Sequence, residues 1–140
     1  MQLAMTIDEL HDFLARDFPQ VAGSFEVVSV APMQITVKLK VNDGHLRPGG
    51  TVSGPTMFGL ADVSVYLAVL AMIGPKELSV TTSCAMDFMR KPAAETDLIC
   101  ECRLLKLGKV LAVGDALIFS EGDPKPVARA NMTYSIPPKS

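Results

Sequence analysis

The spacing of apolar residues changes several times along the chain, and each change marks an element. Behind Thr6-Ile7-Asp8-Glu9, which has the form of a capping box, Ile7, Leu10, Leu14 and Phe18 recur at helical spacing. This predicts a first helix that ends near Pro19. From Ser24 the period drops to two: Met33, Ile35, Val37, Leu39 and Val41 face one way while Gln34, Thr36, Lys38 and Lys40 face the other, the alternation of a half-buried antiparallel strand. A polar, glycine-rich stretch from Asn42 to Gly50 leads through Thr51-Val52-Ser53-Gly54 into a run, ending at Gly74, whose apolar residues occupy every side of a helical wheel. Pro55 fits the first position of that helix, where its missing N–H loses nothing. Beyond Gly74-Pro75 four strands are expected, at residues 78–89, 97–107, 109–120 and 127–136. Gly108 and Glu121-Gly122-Asp123-Pro124 supply the turns between the last three, which form an antiparallel meander.

A helix that is apolar all round has to be covered all round. The element order therefore describes an α+β fold, a curved antiparallel sheet wrapped round one long central helix, with the N-terminal helix added to it. The 140 residues form a single domain, 1–140, which no repeat, low-complexity tract or linker divides. A hydrophobic content of 49% leaves apolar surface to spare, which partner subunits would cover. Asp62 is the only formally charged side chain between Val52 and Gly74. An isolated buried carboxylate costs several kcal/mol unless it is paired or its pKa rises, so its presence needs a reason, and chemistry is one.

Charge and composition remove other classes. The net charge of −2, with no basic stretch interleaved with aromatics and no glycine-rich phosphate loop, argues against nucleic acid as a partner. Cys84, Cys100 and Cys102 cannot all pair, and the Cys-x-Cys spacing suits no standard zinc site. They are expected to be reduced core thiols, with no metal or other cofactor. The apolar run is long enough to raise a membrane span, but Thr56, Gly59, Asp62 and Ser64 interrupt it and no basic flank follows. No basic region with an apolar core and cleavage site is visible after Met1, so a cytoplasmic protein with no membrane partner is expected.

Three stretches carry a resemblance. They are Pro48-Gly49-Gly50-Thr51-Val52-Ser53-Gly54 through Leu60-Ala61-Asp62, then Val80-Thr81-Thr82 through Asp87-Phe88-Met89-Arg90-Lys91-Pro92-Ala93, and last Lys106-Leu107-Gly108-Lys109 with Ala128-Arg129-Ala130. In their order and spacing they resemble the hotdog-fold acyl-CoA thioesterases, in particular the phenylacetate-degradation type related to 4-hydroxybenzoyl-CoA thioesterase. The resemblance implies a hotdog fold, hydrolysis of an acyl-CoA or aryl-CoA ester without metal or redox cofactor, and self-association as a homodimer or tetramer.

It also implies roles that the residue types fit. The backbone N–H of Gly54 would stabilise the developing oxyanion, since a helix N-terminus aims donors and a positive dipole end at it, and a residue without a side chain admits the thioester closely. Asp62 would activate a water or attack directly. Asp62 follows Gly54 by about 8 residues, hence ~12 Å, too far for both to touch one carbonyl carbon. A two-fold dimer that faces Gly54 of one chain with Asp62 of the other resolves this. Thr82 is the best match for an assisting hydroxyl on the next strand, with Thr81 second. Ser53 stands where the family usually has His, and Arg47 where a loop Asn often positions substrate. Ser53 keeps a hydrogen-bonding group but takes no positive charge, while Arg47 suits an acidic acyl group or a CoA phosphate. His45 is a nearby substitute for the missing His. Arg90 and Lys91 are candidates for CoA phosphates, and Phe58, with Met57 and Tyr66, for an apolar wall. His11, on the polar side of the first helix, is assigned no role.

Two rivals remain at this level. A non-catalytic acyl-CoA or lipid-binding protein of the same fold is compatible with Ser53 in place of His. A hydratase or dehydratase is a third reading, which would have to draw its base from His11 or His45.

Overall fold

In the computed structural model, which describes residues 2–46, 50–76 and 81–137, the N-terminal helix α1 spans Ile7–Asp17. Its capping box is complete: Thr6 Oγ1 accepts from the Glu9 N–H at 3.2 Å and Glu9 Oε1 accepts from the Thr6 N–H at 3.0 Å. The period-two region resolves into a hairpin, β1 Phe25–Ala31 and β2 Gln34–Leu39. Ile35, Val37 and Leu39 point into the core as expected, whereas Met33 belongs to the turn, with φ of 65°.

The long helix α2 covers Gly54–Ile73. It starts one residue earlier than expected, so Pro55 is its second residue. Ser53 is the cap, its Oγ accepting from the Thr56 N–H at 3.3 Å, and a proline in the first turn still removes only an N–H that has no intrahelical partner. Gly74, at φ 98°, ends the helix, its N–H donating to the Leu70 carbonyl at 2.8 Å.

Four strands follow: β3 Thr81–Phe88, β4 Leu98–Leu107, β5 Leu111–Ser120 and β6 Pro126–Ser135. All six pair antiparallel in the order β1-β2-β4-β5-β6-β3. The last three strands form the expected meander, while β3, entered from α2, lies at the far edge beside β6. The inner face of the sheet packs on α2 through rows such as Cys100, Cys102 and Leu104 on β4 and Ala128, Ala130, Met132 and Tyr134 on β6. Gly114 gives the helix its closest seat: a Cβ there would lie 3.1 Å from Val65.

α1 covers the edge at β1. His11 Nε2 accepts from the Val27 N–H at 2.9 Å, next to a register shift between Val27 and Ser29, so His11 has a structural role that its sequence position did not suggest. Of the three thiols, Cys100 and Cys102 are buried as expected but Cys84 is exposed, because β3 is an edge strand.

Candidate functional site

α2 is apolar all round, yet the sheet and α1 do not cover it all round. Pro55, Phe58, Gly59, Asp62, Val63 and Tyr66, spaced at three- and four-residue steps along one face, stay exposed or half-buried, as do Gly54 and Thr56 in the first turn. Asp62 is therefore half-buried rather than enclosed. It is also not isolated. Thr81 Oγ1 donates to its Oδ1 at 3.0 Å, and the Tyr134 hydroxyl donates to the same oxygen while lying 3.1 Å from the Asp62 carbonyl oxygen. These bonds offset the desolvation that the apolar neighbours impose. Tyr134 is 3% exposed. Burial, and then its hydrogen bond to Asp62, push its phenol well above the ordinary range, so it is a neutral donor at any working pH.

The two threonines of β3 differ in their partners. Thr81 reaches Asp62, whereas Thr82 turns to the other face and donates to the Thr133 carbonyl at 3.3 Å. A register shift between Thr81 and Ser83 breaks the strand's parity at this point. Tyr134, which the sequence reading missed, had a weak signal: it ends the inward row of β6 with a polar tip.

At the start of α2, Ser53 is fully engaged. Its Oγ lies 2.8 Å from Thr56 Oγ1 besides capping the Thr56 N–H, and its own N–H donates to the His45 carbonyl at 2.9 Å. His45 Nδ1 accepts from the Asn42 N–H at 3.0 Å, which ties the imidazole to its own turn. An isolated bridge pairs Leu46 with Val52 and closes the loop between them, while Arg47 lies outside the described residues. Gly54 is the first helical residue. A methyl group there would have the Phe88 ring as its nearest neighbour, at 3.4 Å, an ordinary contact. Among the described residues, nothing demands glycine at this position.

β3 runs beside this face, from Thr81 near Asp62 to Phe88 over Gly54. Cys84 lies between them, exposed at the strand edge but with its thiol pKa raised by partial desolvation against the apolar face and then by the Asp62 charge. Phe58 and Phe88 are 38% and 55% exposed and Met89 is exposed too, so the surface linking Asp62 to the helix start is apolar and open. Of the expected wall, Met57 is buried in the core and Tyr66 packs edge-on against Phe18 and Tyr134, which leaves Phe58. Arg90 and Lys91 follow Met89 at the surface, with Arg90 Nη1 donating to the Pro126 carbonyl at 2.8 Å. Both cations are thus a few residues from Phe88, the ring that lies over the helix start. A concavity of about 870 Å³ lies on the outer face of the sheet, lined by residues such as Glu101, Arg103, Asp115 and Arg129, and does not include Asp62 or Gly54.

This geometry can be set beside known proteins. A family model described as the thioesterase superfamily matches residues 49–127. A protein of Silicibacter sp. TM1040, provisionally named a thioesterase, has a solved structure 56% identical to this chain, covering 99% of it and 96% of that protein with a TM-score of 0.92. A variant of the phenylacetic acid degradation protein PaaI from Thermus thermophilus is 28% identical, covering 85% of this chain and 99% of that one, with a TM-score of 0.73. Human acyl-coenzyme A thioesterase 13 is 27% identical over 120 residues, 85% of this chain and 84% of the human protein. The wrapped helix and six-stranded sheet match the hotdog architecture of such structures.

Proposed function

Because the chain belongs to the thioesterase superfamily and is a thioester hydrolase, we propose that it converts an acyl-CoA or aryl-CoA ester to the free acid and CoA at a site shared by two copies of the chain. The observation that carries this reading is the Asp62 carboxylate, held by two hydroxyls on the uncovered stripe of a helix that begins at Gly54. Asp62 and Gly54 are about 12 Å apart along one helix, so the partner's helix start supplies the oxyanion donor. The acyl chain or aryl ring lies on the apolar surface that includes Phe58. Arg90 and Lys91, with Arg47, offer positive charge to the CoA phosphates. Names of relatives support the substrate class: coenzyme A appears in one and phenylacetic acid degradation in another.

In the hydrolytic step a water oxygen bonds to the carbonyl carbon, its proton passes to Asp62, and collapse of the oxyanion breaks the C–S bond with the thiolate leaving. If Asp62 attacks instead, its oxygen bonds to the carbonyl carbon, the C–S bond breaks with the CoA thiolate leaving, and water opens the resulting anhydride to the free acid and the regenerated carboxylate; both routes use the same carboxylate. The three unpaired thiols suit a reducing, cytoplasmic setting.

The rival reading, an acyl-CoA or lipid binder without turnover, draws on Ser53, whose hydroxyl is spent on capping and takes no positive charge. Asp62→Asn separates the two. Free thiol release from a panel of short aliphatic, phenylacetyl and long-chain CoA esters is expected to fall by about 10²–10⁴-fold while binding persists. Turnover that survives the substitution would rule out Asp62 as base or nucleophile. Binding with no turnover even in the wild type would establish the binder.

A further inference from the structure

The two oxygens of Asp62 are treated differently. Oδ1 accepts from both Thr81 and Tyr134, whereas among the described residues no hydrogen bond is made to Oδ2. We propose that Tyr134 is the positioning residue of the hydrolytic carboxylate, fixing Oδ1 with help from Thr81 so that Oδ2 alone is presented to the water or the thioester. The proposal rests on Asp62 as base or nucleophile.

Tyr134 is built for the task in a way that Thr81 is not. Its ring is clamped edge-on against Tyr66, with centroids 5.8 Å apart and planes at 81°. Tyr66 in turn meets Phe18 edge-on at 5.7 Å and Phe13 at 6.2 Å, so a continuous aromatic chain joins α1 to the Asp62 carboxylate. A ring held this way keeps its hydroxyl oxygen at Asp62, where both acceptors within reach belong to that residue. Thr81 sits on an edge strand beside a register shift, where water can replace its hydroxyl. The Tyr134 hydroxyl also reaches the Asp62 carbonyl oxygen and so fixes the side chain relative to its own helix turn.

A donor on one oxygen stabilises the ionised carboxylate on an otherwise apolar face. The other oxygen keeps its lone pairs for the reaction. The titratable groups that face this carboxylate are the Cys84 thiol from β3, the Tyr134 phenol from β6 and, behind that phenol, Tyr66 of α2. From α1 and its C-terminal cap come Phe13 and Phe18, with the Arg16 guanidinium 5.5 Å from the Phe13 ring centre.

Tyr134→Phe keeps the ring stack and removes one hydroxyl. With the full-length protein and a hydrolysed CoA ester, kcat is expected to fall about 10- to 100-fold with KM within about twofold. A variant that melts lower but keeps the wild-type kcat would show a merely structural tyrosine and overturn the proposal. Should Tyr134→Phe fail to fold, fluorotyrosine placed at position 134 makes the same test. As a stronger donor it should change kcat while leaving KM within about twofold, and an unchanged kcat counts against the proposal. The two readings fail separately: activity that survives Asp62→Asn removes the base, whereas activity that needs Asp62 but ignores the Tyr134 hydroxyl removes only the positioning role.

Discussion

Gly54→Ala is expected to leave the fold intact, or slightly strengthen it, while abolishing most of the activity. An added Cβ meets only the Phe88 ring, with its three nearest carbons at 3.4, 3.6 and 3.9 Å, all ordinary contact distances. The backbone there is helical, so no positive φ opposes a side chain. Alanine is better than glycine by about 0.8–1.0 kcal/mol in a helix interior, and at the first helical position some fraction of that applies. Contact with a partly exposed ring adds a few tenths at most, on a scale of about 0.8 kcal/mol per buried CH₂. Stability should thus change by between 0 and about +1 kcal/mol. Activity answers to a different requirement: in the proposed role the oxyanion comes within about 2.7–3.1 Å of the Gly54 N–H, and an added methyl is expected to crowd that approach. Denying the oxyanion one such donor is expected to cost about 10²–10³ in kcat. Urea unfolding followed by far-ultraviolet circular dichroism, thiol release from a CoA ester, and sedimentation to check the assembly would be run on both proteins. A folded, normally assembled variant with kcat/KM within about threefold of wild type would refute the oxyanion assignment, and a variant that cannot fold would show the glycine to be structural.

Gly114→Ala should have the opposite character. Its Cβ would lie 3.1 and 3.3 Å from the two methyls of Val65 and 3.3 Å from Leu104, beneath the middle of α2, so about 1–3 kcal/mol of stability should be lost to overpacking. A urea midpoint equal to the wild type would show that α2 can lift without cost. Stability should also fall in alkali. Burial raises the pKa of the Cys100 thiol from 9.0 to about 12, and raises those of Cys102 and Tyr134, so the folded chain holds protons that the unfolded chain releases from about pH 9 upward. With fewer protons bound in the unfolded state, the unfolding free energy declines as pH rises, for Cys100 between pH 9 and 12, at about 1.4 kcal/mol per pH unit for each such group. Urea midpoints between pH 8 and 10.5 should decline, less steeply in Cys100→Ala, and a flat series would contradict the burial of these groups.

Local signals in the sequence were read well and relational ones were not. The capping box at Thr6, the all-apolar helix ending at Gly74 and the alternation through Ile35, Val37 and Leu39 each depend on residues a few positions apart, and each appears in the structure. Thr81 and Thr82 show where that kind of reading stops. Period two says that adjacent threonines face opposite ways but not which faces the helix, and a bulge beside them removes even the parity. Cys84 looks like a core residue until β3 is known to be an edge strand, which is a property of the strand order and not of the strand. His11 and Tyr134 act on residues 16 and 72 positions away, Val27 and Asp62, and no local pattern foretells either bond.

The two edges of the sheet differ in a way that bears on the proposed shared site. At β1 the free edge is managed within the chain: α1 packs along it, and His11 takes up the Val27 N–H. At β3, among the described residues, no strand lies beyond the edge, and the strand carries Cys84 and Phe88 exposed on the side of α2, with no proline inside it. An unpaired, apolar edge of this kind invites another strand. The uncovered stripe of α2, with Phe58, Asp62 and Val63, adjoins the same edge. One surface thus combines the unpaired strand, the apolar helix stripe, the oriented carboxylate and the helix start. A second copy placed there in two-fold symmetry would cover the first two and bring the last two together, which is why the dimer and the chemistry are proposed as one arrangement.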